Sequence, residues 1–100
     1  MANPSMERTA PDPDEAWRAR LERWRRVRHL LDSAELGAGR WRHECVQAAG
    51  SLLQLLAPEE AQWDFPSQDA IAALRDRVRD GDVPAAAVEV RAIVERLEDT

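Results

Sequence analysis

The sequence predicts an all-α fold: a compact four-helix bundle or orthogonal helical domain with a long first helix and a C-terminal αα-hairpin. Three observations predict it. Apolar residues recur at three- and four-residue spacing through most of the chain. No segment alternates apolar and polar residues long enough to make a strand. Gly and Pro fall at a few places that cut the periodic pattern into four pieces. One hundred residues make one domain with one modest core.

The elements follow in order. Residues 1–11 carry Pro4 and Pro11 and almost no apolar content, so they read as a tail. The domain is expected over 12–100. Asp12 can cap a first helix, Pro13 suits its first position, and Glu15 stands three residues after the cap. Trp17, Leu21, Trp24, Val27, Leu30, Leu31 and Ala34 carry the periodicity over 13–36, until GAG at 37–39 breaks the chain. A second helix is expected over 40–57, stopped by Pro58. Its apolar residues cover more than half the circumference, which predicts a central helix with neighbours on two sides. Gly50 inside it suggests a close helix crossing.

PEEAQWDFP reads as a connector containing at most one helical turn, with Trp63 and Phe65 plugging an end of the core. Ser67 caps a third helix over 67–80 that Gly81 closes. DVP opens a fourth over 84–98, with Ala86, Val90, Ile93, Val94 and Leu97 on one face.

All fourteen basic residues are arginine, a usage we attribute to GC-rich coding. Every cation is therefore a planar fork suited to carboxylates, phosphates and aromatic faces. The net charge of −5 is uneven: −3 over residues 1–15, +5 over 16–43 and −7 over 44–100. The acidic parts of the same molecule are the simplest partners for the basic part. The single cysteine, Cys45, excludes an intramolecular disulfide. No apolar run is long enough to span a membrane, no secretory signal is visible, and the cytoplasm is the expected compartment.

RARLERWRRVRH, at 18–29, is the most distinctive stretch. With Trp17 at 0°, Leu21, Trp24, Val27 and Leu31 fall between about 280° and 40°. Leu30 extends that arc to about 220°, so Arg20, Arg23 and Arg28, at about 300°, 240° and 20°, fall inside it. Arg18, Arg25 and Arg26 face outward with Glu15, Glu22 and His29. The arginines make no continuous phosphate-tracking stripe. Those in the arc are expected to sit at the core edge with stems packed and heads in water, or to pair with acids such as Asp76, Asp80 or Glu89. The third expectation is that they line a groove for an anionic ligand or an acidic partner helix. Trp and Arg are over-represented at binding hot spots. The candidate partner-binding residues are therefore Trp17, Arg20, Arg23, Trp24 and Arg28.

His43 and Cys45 lie about 200° apart on a helix and cannot work together as nucleophile and base. No phosphate loop, HExxH motif or calcium loop is present. No cofactor, metal or independent catalytic activity is expected. The polar face of the second helix, with His43, Glu44, Gln47, Ser51 and Gln54, must reach solvent or line a groove. With arginines from the first helix, such a groove could hold a small carboxylate.

The function expected from sequence is a small helical interaction module, docking to another protein or to a second copy. A nucleic-acid-binding regulator is the alternative; the overall acidity and the pI near 5.0 speak against it. An anion-binding enzyme or enzyme subunit is the second alternative.

Overall fold

In the computed structural model, which describes residues 13–99, four helices follow one another: α1 (Pro13–Leu36), α2 (Gly39–Glu60), α3 (Gln68–Arg79) and α4 (Val83–Glu98). The expected tail over 1–11 and the Asp12 cap lie outside these residues. Helix α1 packs on α2 and α4, and α3 packs on the same two, so α1 and α3 stand diagonally. Cross-helix ion pairs fix the directions. Arg25 meets Glu98 and Arg91 meets Asp32, a mirrored register that makes α1 and α4 antiparallel. No strand occurs among the described residues.

The core follows the periodicity. Trp24, Val27, Leu31 and Ala34 of α1 are fully buried, as are Ala49 and Leu53 of α2, Leu74 of α3 and Val90 and Val94 of α4. The buried residues Trp24, Val27 and Leu31 mirror Leu56, Leu53 and Ala49 about the α1–α2 turn, which an antiparallel hairpin with equal rise per residue requires. At that turn a Cβ on Gly37 would overlap Cδ1 of the Trp41 ring, so a side chain there requires that exposed ring to move.

The α3–α4 turn is a Schellman motif. Asp82 N–H donates to the Arg77 carbonyl at 2.9 Å and Gly81 N–H to the Val78 carbonyl at 3.1 Å. Gly81 adopts φ +83, a conformation that glycine takes without steric cost.

The end of α2 departs from expectation. Pro58 does not stop the helix, which runs to Glu60. The missing N–H leaves only the carbonyl of the exposed Gln54 without its helical donor, where water can serve. One further turn carries Glu60 into the core. The helix then tightens, with Ala61 N–H donating to the Pro58 carbonyl. The Ala57 carbonyl is satisfied instead by the Gln68 side chain, at 2.8 Å, which ties the start of α3 to the end of α2.

Helix α3 begins at Ser67, whose hydroxyl accepts from Ala70 N–H at 3.1 Å. Ser67→Ala removes that cap and is expected to cost about 1 kcal/mol. In urea unfolding the midpoint should fall with an unchanged slope.

Candidate functional site

Two of the five candidate residues on α1 belong to the interior. Trp24 is fully buried, and its indole N–H has no partner among the described residues. It fills the core and offers nothing to a partner. Arg20 is 2 % exposed and bound to Glu60, which is fully buried.

The Arg20–Glu60 pair is built in detail. Nε of Arg20 lies 2.9 Å from both carboxylate oxygens of Glu60, and Nη2 lies 2.9 Å from Oε1. Nη2 also donates to the Phe65 carbonyl. The guanidinium carbon sits 5.3 Å from the Trp17 ring and 4.5 Å from the Trp63 ring. Those two rings meet edge to face at 5.8 Å. Trp17 is thus half-buried in an internal aromatic corner. Burying two ions costs several kcal/mol each, offset only where hydrogen bonds and counter-charge are complete, as they are here. The Phe65–Pro66 bond is cis, and the Arg96 guanidinium lies 4.1 Å over the Phe65 ring.

Helix α1 draws its counter-charges from the ends of α2 and α4. Arg23 reaches Glu59 at 3.2 Å, and Arg25 reaches Glu98 at 2.7 Å. The acids expected for this role are engaged elsewhere: Glu89 pairs with Arg77, and Asp76 and Asp80 with Arg79. The hydrogen bond to Glu98 raises the Arg25 pKa, and the one to Asp32 raises that of Arg91. A raised basic pKa gives stability that is fully present below the ordinary value and lost only above it. Both pairs are therefore insensitive to pH near neutrality.

Arg18, Arg26 and Arg28 have no carboxylate within ion-pair distance among the described residues, and Arg18 and Arg26 are exposed. Glu22, Arg23, Arg25, Arg26, Arg28 and His29 line a shallow hollow, on balance basic, that reaches Leu52 of α2. Of the three cations without a carboxylate, Arg26 and Arg28 border the α2 surface, while Arg18 does not.

That surface is apolar, and only the structure identifies it. Trp41, Ala48, Leu52 and Leu55 fall within about 60° of one another on a helical wheel. Trp41 is 58 % exposed, Leu55 72 %, Ala48 exposed and Leu52 half-buried. They span about 21 Å of helix at the usual rise. The wide apolar arc of α2 contained this signal, because it exceeds what two neighbouring helices cover.

The other flank of α2 lines an open cleft of about 930 Å³. Its walls carry Arg42, His43, Gln47, Ser51 and Gln54 from α2 and Arg75, Asp76 and Arg79 from α3. The groove expected for the polar face of α2 is present, but its arginines come from α2 and α3 and not from α1. Gly50 lies on its floor. A Cβ there would meet only Val78 Cγ1, at 3.7 Å, so the glycine marks no close helix crossing. Cys45 is buried and His43 exposed on different sides of α2. Among the described residues no group of His, Cys, Asp and Glu is arranged to hold a metal, and no helix is long and apolar enough to cross a membrane.

The chain matches no family model, and neither a curated protein nor a solved structure shows significant similarity to it.

Glu60→Leu alone leaves a buried guanidinium without its counter-charge and is expected to cost about 3–5 kcal/mol. The double variant Arg20→Met with Glu60→Leu should lose less than the two single losses together. A double-mutant cycle by urea unfolding measures this coupling; strictly additive losses would show the pair to be uncoupled. Gly50→Ala is expected to raise stability by up to about 1 kcal/mol, since the site has room for a methyl and the helix favours it. The thermal midpoint checks that.

Proposed function

We propose that the chain is a non-catalytic docking module that binds an amphipathic helix of another protein through the outer face of the α1–α2 pair. The carrying observation is the stripe of Trp41, Ala48, Leu52 and Leu55, in which Trp41 and Leu55 are more than half exposed. Single exposed apolar residues are ordinary, but a row at helical spacing is what a partner helix can cover. The five residues Trp17, Arg20, Arg23, Trp24 and Arg28 do not form this face together. Arg23 and Arg28 belong to its basic rim, while Trp17, Arg20 and Trp24 hold α1 in place behind it.

The rim states the chemistry of the partner. Arg26 and Arg28 have no carboxylate partner among the described residues, and the hollow they line opens beside Leu52. A helix with apolar residues at i, i+3 or i+4 and i+7, flanked by Asp or Glu, complements both features. Trp41 is the expected anchor, because a large ring buries much area with few rotatable bonds.

A photo-reactive residue in place of Ala48, the exposed midpoint of the stripe, tests this reading in cells that produce the chain. The expected product is a cross-link to an acidic amphipathic helical segment of a second protein. Trp41→Ala with Leu55→Ala should abolish that product while changing folding stability by no more than about 1 kcal/mol. Cross-links confined to a second copy of the chain, or to nucleic acid, would overturn the reading.

A further inference from the structure

The cleft between α2 and α3 is independent of the docking face, and its walls have a chemistry of their own. Arg42 and Arg75 enter it from two different helices, and each is half-buried. Neither has a carboxylate within ion-pair distance among the described residues, although seven other arginines do. Arg79 on the same wall is committed to Asp76 at 3.0 Å. Two half-buried guanidinium forks without a carboxylate partner, lining one cleft, are available to an anion.

The remaining lining narrows the ligand further. Gln47, Ser51 and Gln54 lie within about 60° of one another on α2, and their side chains make no hydrogen bond within the described chain. They offer neutral donors and acceptors, which suit hydroxyl groups. Asp76 and Asp80 also line the cleft and would repel a second anionic group beside them. The floor is bare at Gly50, and the volume of about 930 Å³ is that of a small-molecule cleft.

We infer that this cleft binds a small polyhydroxylated organic anion, its single charged group held by Arg42 and Arg75 and its hydroxyls by Gln47, Ser51 and Gln54. The charged group is a carboxylate or a phosphate, since both match the arginine fork.

The test is a titration of the isotope-labelled full chain followed by amide NMR. Gluconate and glucose 6-phosphate are the two probes; inorganic phosphate and glucose are the controls. Binding of either probe should shift the amides of Gln47, Gly50, Ser51 and Arg75 and leave those of α1 in place. Which probe binds identifies the charged group. Arg42→Ala and Arg75→Ala should each weaken binding roughly tenfold, the loss of one charge-assisted contact. Arg26→Ala, on the far side of α2, should leave it unchanged.

Both substituted arginines are unpaired among the described residues, so the fold should be retained, and the unchanged dispersion of the α4 amides checks this. Three results would overturn the inference: no shift with either probe, equal shifts with inorganic phosphate alone, or shifts centred on α1. Each leaves the proposed helix-docking face untouched, because that face lies on the opposite flank of α2.

Discussion

The buried ion pair between Arg20 and Glu60 is the constraint around which one end of the molecule is arranged. Both residues continue their helices' apolar seams. Arg20 precedes Trp24, Val27 and Leu31 at the same spacing, and Glu60 follows Ala49, Leu53 and Leu56. A charge at such a position is tolerated only when desolvation is offset by a complete set of contacts. This requirement carries α2 past Pro58, draws the Phe65 carbonyl inward and places Trp17 and Trp63 against the guanidinium. An apolar pair of similar volume would cost less to bury, so the pair is best understood as setting register. An α1–α2 hairpin slipped by one turn would leave both charges unpaired in the core.

Arginine serves three purposes within α1. At Arg20 it is an interior strut. At Arg23 and Arg25 it bridges to the ends of α2 and α4 from partly exposed positions, where each pair contributes little to stability. At Arg18, Arg26 and Arg28 it meets no carboxylate. Nothing in the residue type separates these purposes; position on the helix and the neighbour opposite do. The electrostatic match inside the molecule absorbs much of the positive charge of residues 16–43 and leaves Arg26 and Arg28 beside α2.

Helix α2 carries both of the open surfaces on which the proposals rest. It touches α1 and α3 on two sides of its buried seam and stays open beyond each contact. On the α1 side the opening is the apolar stripe from Trp41 to Leu55; on the α3 side it is the polar cleft. The two surfaces share one rigid helix without sharing a side chain, so one can be altered without disturbing the other. The short α3–α4 hairpin closes the core and supplies the second wall of the cleft through Arg75, Asp76 and Arg79.

Reading the sequence alone was enough to find four helices, their turns and the buried faces of α1, α3 and α4, because these depend on local periodicity and on a few Gly, Pro and Ser positions. Pro13, Ser67 and Gly81 act within a few residues of themselves, so their meaning is visible without neighbours. The extent of α2 was not visible, because Pro58 is a strong local stop that one distant arginine overrides. The different surroundings of the tryptophans were hidden for the same reason. Trp17 and Trp24 look alike on a wheel, yet one packs against Trp63 and the other fills the core. Trp41, which reads as core, stands exposed because α2 has two neighbours where its apolar arc could serve three. Partners forty residues apart in the chain decide these points, through burial and charge compensation that no local pattern encodes.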